Sequence, residues 1–405
     1  MLHYPQRDVI IIGAGPAGLA CAIKCQEMGK DFLLLECSDR AGGKLGSIYE
    51  KSYIYDLGFQ VYNSSYKLTN SLLDMPNIDF NYFKPGALIH SDGEFQVLSD
   101  PIRNPSKTFD TLFSNIATFS DKLKILLLKA RLRGYTIKED NSFDVTTIDY
   151  IKGLGFSEKI IEKFFIPFLG GIFLEKKLST SSKFFKYVFS NFNDGIACLP
   201  ENGMQSIPNN LLRKIDKSNI LFNRKVLNIS GNKIFLENGD FIGAKAFVLT
   251  GESSALVSNM NVRYNNVKTF YFSSTIKHKG GNYIHLFPND NLINNIAILT
   301  SISKSYSKKQ DNLISVSVLK SNPLKFSEIA EELKRRLINY YGGKENDYKF
   351  LKYFDLKKAT LFQESGYFQN HGLKRKGNII LSGEKAVNGS IEGAVSSGLK
   401  AASLI

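Results

Sequence analysis

Tryptophan is absent from this 405-residue chain, and cysteine, methionine and histidine are scarce, at 4, 5 and 5 residues. No two of Cys21, Cys25, Cys37 and Cys198 have CxxC spacing, and the histidines do not cluster with them, so no metal site is expected. Cys21 and Cys25 stand four apart on an expected helix and read as small core side chains. His3, His90, His278, His285 and His371 are scattered, and no catalytic acid–base dyad can be assigned. His285, on an expected strand, is the one histidine that merits a catalytic test. No apolar run reaches the roughly 18–20 residues of a transmembrane helix. The start has no basic flank, long apolar stretch or small-residue cleavage site of the kind a secretory signal needs. These absences point to a cytoplasmic protein. The net charge is +14, yet no arginine-rich tract or nucleic-acid module accompanies it. A lysine-rich background accounts for the charge, nucleic acid is not an expected partner, and a weak role at a membrane surface stays open.

Hydrophobic residues make up 43% and charged residues 22%, ordinary values for a globular protein. The length suggests two packed domains. The strongest signal lies in the first forty residues. Asp8 to Ile12 ends in a β-branched run, as a buried parallel strand should. Gly13-Ala14-Gly15-Pro16-Ala17-Gly18 follows at once, then a helix from Leu19 to Met28 closed by Gly29. Phe32 to Leu35 forms the next strand and runs into Glu36. Gly13 permits the tight turn, Gly15 lets backbone approach a pyrophosphate, and Gly18 lets the helix pack on the strand. The helix N-terminus offers unpaired N–H groups and a positive dipole end to phosphates. Glu36 can accept hydrogen bonds from a ribose diol and would repel a 2′-phosphate. A dinucleotide site is expected here, with Cys37 beside it.

Arg40-Ala41-Gly42-Gly43-Lys44 resembles the R-x-G-G-R signature of the amine oxidase, phytoene desaturase and protoporphyrinogen oxidase superfamily. Lys44 stands where arginine is usual, keeping the charge without the bidentate fork. Asp56-Leu57-Gly58-Phe59-Gln60 resembles the D-x-G segment that lies beside the flavin in those families. Near the other end, Gly383-Glu384 and Gly389-Ser390-Ile391-Glu392-Gly393-Ala394 resemble their G-E…G-x-x-x-G-A segment. In mid-chain, Pro200 to Leu212 resembles the P-x-G-G-M…L-P…L stretch, with Asn202 where glycine is common. Val226 matches the adenine contact, and Lys233 to Leu236, Asn238-Gly239 and Ala246 to Thr250 form a meander ending at Thr250-Gly251. The resemblance implies an FAD site. No cysteine follows Cys198, so the flavin is expected to be non-covalent.

The implied fold is α/β, a discontinuous Rossmann-type FAD-binding domain with an inserted α+β substrate domain, as in amine oxidases. Residues 1–73, 199–256 and 352–405 are assigned to the first, and 74–198 and 258–351 to the second. The first insertion reads as helix-rich. The second carries strand-like runs at Ile296 to Ser301 and Leu313 to Leu319, then a helix at Ser327 to Tyr340. In the segment Asp121 to Arg133, apolar residues at 123, 126, 127 and 130 line one helical face. That face either packs on a core or forms an in-plane membrane helix or the lip of a channel for an apolar substrate. Pro167 to Phe173, followed by Leu178-Ser179, resembles a stretch of protoporphyrinogen oxidases. Its Gly170-Gly171 pair reads either as a neighbour of the flavin ring or as a helix break in an apolar core.

The resemblance implies an FAD-dependent oxidoreductase that moves a hydride from substrate to flavin N5, with oxygen, a quinone or another acceptor reoxidising the cofactor. The leading expectation is a hydrophobic conjugated substrate, such as a polyene or a porphyrinogen. A flavin amine oxidase, a non-redox isomerase using reduced FAD, and a flavin-binding module without turnover are the alternatives.

Overall fold

The computed structural model describes residues 6–99, 103, 114–257, 262–278, 280–319 and 325–405. His3 and the expected boundary at residue 258 lie outside them.

An eight-stranded sheet forms around β1 (Arg7–Ile12). After β1 the chain turns through Gly13–Gly15 into α1 (Pro16–Glu27), then returns as β2 (Phe32–Leu35), parallel to β1. On the other side, β1 pairs in parallel with β3 (Phe241–Thr250), and Ile12 lies opposite both Leu35 and Leu249. β3 in turn pairs in parallel with β4 (Ile379–Ser382). One sheet therefore joins three distant stretches of sequence. Its central strands carry continuous apolar runs, Val9–Ile12, Phe32–Leu35 and Ala246–Leu249, because both faces are covered there. Val9, Ile11, Phe32 and Leu34 pack toward α1. Ile10, Ile12, Leu33 and Leu35 pack against the meander built from Val226–Ser230, Lys233–Leu236 and the start of β3. Val9, Ile10 and Ile11 are fully buried. Burial of each is worth roughly 1.5–3 kcal/mol.

Helix α2 (Ile391–Ala402) lies against α1. The approach is close: a Cβ on Gly398 would fall 2.0 Å from the Ala17 carbonyl oxygen. A Cβ on Gly18 would fall 1.8 Å from the Gly13 carbonyl oxygen, so glycine at that position sets how tightly α1 returns onto the turn. α1 has Gly15 as N-cap and α2 has Ser390, whose hydroxyl accepts from the Gly393 N–H at 2.9 Å.

A second sheet of seven strands carries the remaining β-structure of size. Its order is Tyr348–Leu361, Tyr264–Ser274, Asn312–Val318, Ile293–Ile298, Ile284–Leu286, Gly86–Ser91, Glu94–Ser99. One face is covered by the helix Phe326–Tyr341 through Ile329, Ala330, Leu333 and Leu337. Residues 352–361, grouped from sequence with the first sheet, are strand in the second, paired to Tyr264–Ser274. The insertion read as helix-rich also contributes the hairpin Gly86–Ser91 and Glu94–Ser99 to this sheet.

Helices Phe119–Arg131, Thr147–Gly153, Ile166–Phe173 and Ser182–Asp194 form a third layer over their own apolar cluster. In Phe119–Arg131, the side chains packed inward are Asp121 and Leu128. Of the alternatives left open for the stripe at 123, 126, 127 and 130, packing on a core is not what is seen, since Leu123 is 52% and Leu127 62% exposed. Helical periodicity gives the spacing of an apolar stripe but cannot say whether that stripe meets a core, a cavity or solvent. Gly170 and Gly171 do not break a helix, which runs on to Phe173 and ends at Leu174 with φ 56°.

Candidate functional site

The three layers enclose a cavity of about 1530 Å³. That exceeds the roughly 300–1,000 Å³ of a pocket for one small molecule. One end is polar and built from loops of the first sheet. The other is apolar and walled by the second sheet and the helical layer.

The polar end begins at the turn after β1. A Cβ on Gly13, at φ 101°, would meet the Thr250 hydroxyl at 2.6 Å. The N-cap Gly15 has open space beside it, the nearest atom being the Gly42 carbonyl oxygen at 4.0 Å. The Ala14 N–H donates to Glu36 Oε2 at 2.7 Å, which fixes the acid at the end of β2. Glu36 Oε1 accepts from the Ser38 N–H and hydroxyl at 2.9 and 2.8 Å. Glu36 Oε1 also accepts from the Cys37 thiol at 3.3 Å, whereas Oε2 accepts from the Ala14 N–H alone among the described residues, and Glu36 lines the cavity. The second glycine loop docks on the first: the Gly42 N–H donates to the Ala14 carbonyl at 2.8 Å.

The far end of the chain closes the same wall. Lys44 Nζ meets Glu384 Oε1 at 2.6 Å and lies 4.1 Å from the Tyr264 ring centre. Gln60 donates to the carbonyls of Lys44 and Leu57 at 2.8 and 2.9 Å. Its buried Oε1 has no partner among the described residues.

Of the residues singled out from sequence, Gly13, Gly15, Pro16, Ala17, Glu36, Cys37, Gly43 and Lys44 line this cavity, with Gly58, Phe59, Gln60, Val226, Thr250 and Gly251. Gly383, Glu384, Ser390, Ile391 and Ala394 join them from the C-terminal segment. Four others do not reach the wall. Gly18 sits under the turn, as described. Gly42 lies behind it, where a Cβ would meet the Leu45 carbonyl oxygen at 2.2 Å. Arg40 points inward, donating to the carbonyls of Leu45 and Gly43 and to Gln205 Oε1 at 3.2, 2.8 and 3.0 Å. It braces the loop, with Gln205 as a partner that sequence reading missed. Glu392 caps the helix Lys67–Leu72, accepting from the Leu68 and Thr69 N–H groups and the Thr69 hydroxyl.

Asp56 also turns away from the cavity. It is buried and accepts from the Ser47 hydroxyl at 2.5 Å, the Met204 N–H at 2.9 Å and the Tyr306 hydroxyl at 2.7 Å. Burial outweighs these donors and pushes its carboxyl up to about 6. His285 is fully buried and does not line the cavity. Its Nε2 faces the Gly280 carbonyl at 3.0 Å and its Nδ1 the Tyr341 hydroxyl at 2.6 Å. Burial lowers its pKa to about 4 and holds it neutral. His285 is thus held within the second sheet, paired to Ile296, away from the cavity wall.

The apolar end carried little signal in the sequence. Tyr66, Phe83, Phe164, Phe168, Tyr187 and Phe192 line it, from five different elements or loops. Phe164 and Phe168 stack with ring centres 5.2 Å apart. The lip is the helix Phe119–Arg131, through Phe119, Leu123 and Leu126.

Residues 16–272, more than half of the chain, match the family described as flavin containing amine oxidoreductase. The chain belongs to this family. By its description, this is a family of flavin-containing oxidoreductases. Among curated relatives, a 1-hydroxycarotenoid 3,4-desaturase of Flavobacterium sp. is 26% identical over 56% of this chain and 52% of its own length. Protoporphyrinogen oxidase 2 of Arabidopsis thaliana is 24% identical over 41% of this chain and 32% of its own. The chain thus spans about half or less of the curated relatives it matches. Solved structures align along nearly the full length. An oxidoreductase from Methanosarcina mazei gives a TM-score of 0.75 at 16% identity, covering 98% of this chain and 100% of that one. A putrescine oxidase triple mutant gives 0.74 at 16% identity, covering 98% of each. At such identity the likeness is one of fold.

The polar end fits the family's cofactor. Two helix N-termini, an acid at the end of β2, a glycine with open space beside it and Gln60, whose Oε1 has no partner among the described residues, all belong to the lining of this cavity.

Proposed function

We propose that this enzyme oxidises a hydrophobic, conjugated small molecule held in the aromatic end of the cavity. The observation that carries this reading is the continuity of the cavity from the Gly13–Gly18 turn to the Phe164–Phe168 wall. Bound FAD supplies a hydride acceptor at N5. The residues of the chain do the rest. Gly15 and the N-termini of α1 and α2 receive the phosphates and the polar edge of the ring system. Glu36 takes the ribose, and Val226 meets the adenine. Lys44, Glu384 and Gln60 hold the linking chain. The attachment is non-covalent, since the one cysteine on the cavity wall is Cys37, at the ribose end.

The first sheet with α1 and α2 serves as the cofactor-holding unit, and the second sheet with the helical layer as the substrate unit. Aromatic walls exclude water and orient a flat apolar molecule against the cofactor. Loss of a hydride from a conjugated system leaves a cation acidic enough to pass its proton to solvent at the cavity mouth, so no dedicated base is required, which accords with the buried position of His285. The exposed Phe119, Leu123 and Leu127 beside Lys124, Lys129 and Arg131 suit peripheral contact of the cavity lip with a membrane. No helix among the described residues is long and apolar enough to cross one.

The decisive experiment is anaerobic reduction of the protein-bound flavin by a panel of polyenes, porphyrinogens and amines. Bleaching by a polyene or porphyrinogen is expected. Bleaching by amines alone, with release of ammonia or a free amine, would replace this reading with amine oxidation. Turnover without net oxidation, dependent on a reductant, would replace it with isomerisation.

A further inference from the structure

Lys44 stands where the family pattern has an arginine. An arginine fork is pre-organised, whereas a lysine carries a point charge on a flexible stem, so its surroundings must fix where that charge sits. The backbone of Lys44 is well placed. Its carbonyl accepts from Gln60 Nε2 at 2.8 Å. Its neighbour Gly43 abuts the turn after β1, where a Cβ on Gly43 would lie 3.5 Å from the Gly15 Cα. The ammonium itself has two contacts, Glu384 Oε1 at 2.6 Å and the face of the Tyr264 ring, whose centre is 4.1 Å away. The Lys44 side chain is 37% exposed, and an ion pair this open to solvent is a weak tether. The ring is the second restraint.

Tyr264 belongs to the other half of the molecule. It opens the strand Tyr264–Ser274 of the second sheet, opposite Leu361. Residues on both sides pin that start. The Phe362 N–H donates to the Arg263 carbonyl at 2.9 Å, and Asn265 Nδ2 donates to the Phe173 carbonyl at 2.8 Å. Tyr264 does not line the cavity, whereas Lys44 does. The Tyr264 hydroxyl is buried and has no hydrogen-bond partner among the described residues. Burial, and then the charge of Glu384, push its phenol pKa up and keep the ring neutral. The attraction is therefore that of a ring quadrupole for a cation, and it does not need the hydroxyl. The next ammonium, Lys385 Nζ, is 5.9 Å from the same ring centre, near the limit of such an attraction, and donates to the Ser254 hydroxyl at 3.0 Å. Lys44 is the cation that this ring holds.

We infer that Tyr264 is a positioning residue for the cofactor, its ring face holding the Lys44 ammonium at the cavity wall. A side chain of the substrate unit thus sets the place of a cation in the cofactor unit. The inference rests on the reading that Lys44 contacts bound FAD.

The test measures FAD dissociation constants, from the fluorescence of flavin released on serial dilution of the holoenzyme. Lys44→Met is expected to weaken FAD binding about 10-fold or more. Tyr264→Leu is expected to weaken it about 3–10-fold, and Tyr264→Phe, which keeps the ring, by no more than about 2-fold. In the Lys44→Met background, Tyr264→Leu should cost nothing further, because the cation that the ring holds is already gone. A packing role would not give that result, since lost packing adds to lost charge. Tyr264→Met serves if the leucine variant does not fold. If the ring-less variant weakens FAD equally with and without Lys44, or if Tyr264→Phe weakens it as much as Tyr264→Leu, the inference is overturned while the contact of Lys44 with FAD stands. If Lys44→Met leaves FAD affinity unchanged, that contact itself fails and takes the inference with it.

Discussion

Glu36 is placed by its own backbone neighbourhood, through the 2.7 Å bond from the Ala14 N–H, and not by a distant partner. Its loss should therefore leave the fold intact and act on the cofactor. Glu36→Ala is expected to weaken FAD binding about 10–100-fold, the size of a charge-assisted hydrogen bond. Flavin absorbance per protein after dialysis measures this. Asp56 makes the opposite case, an acid whose importance lies in folding. Its carboxyl titrates near 6 in the folded protein against about 3.9 when unfolded. The folded state then binds more protons than the unfolded one between those values. Its contribution is fully present below about pH 4 and is lost as pH rises through 6. Comparing thermal unfolding of wild type and Asp56→Asn across pH 4–7 should reveal that loss, on the order of 3 kcal/mol, in wild type only. Both acids were legible as parts of motifs, but their directions were not. A motif names residue types at a spacing; it does not say that Arg40 braces its loop or that Asp56 faces Tyr306.

The β1–α1–β2 unit was readable because its pattern is local: the strand, the turn and the cap all lie within thirty residues. The helix Ser327–Tyr340 was likewise found nearly where it lies, at Phe326–Tyr341, since its stripe meets a covering sheet. Phe119–Arg131 has as clear a stripe, but its partner is a cavity mouth. Because Leu123 and Leu127 are exposed, making both acidic should change stability by no more than about 0.5 kcal/mol. The same double substitution, Leu123→Glu with Leu127→Glu, is expected to abolish sedimentation with anionic phospholipid vesicles. Unchanged sedimentation would remove the membrane role and leave the helix as a lip alone.

At the scale of the whole molecule, the wall proposed to hold FAD is contributed by residues near 13–60, 224–256 and 383–394. A ligand that bridges such separated segments in the folded state alone should stabilise that state. Adding FAD at about 100 times its dissociation constant is expected to add about 2.7 kcal/mol, seen as a concentration-dependent rise in melting temperature. A melting temperature indifferent to FAD would mean that the wall does not bind it. The topology behind this was legible only through resemblance between distant motifs, since no local pattern reveals that residues 352–361 belong to the second sheet.

The parallel pairing of Phe241–Thr250 with Ile379–Ser382 also sets an order of events at the ribosome. Translation at about 5–20 residues per second separates synthesis of Ile12 from that of Leu381 by roughly 20–75 s. Throughout that interval the emerging polypeptide carries a bare strand edge and half a nucleotide socket. Capture of the vitamin-derived prosthetic group is thus a late step, and nascent chains arrested before residue 374 should remain colourless.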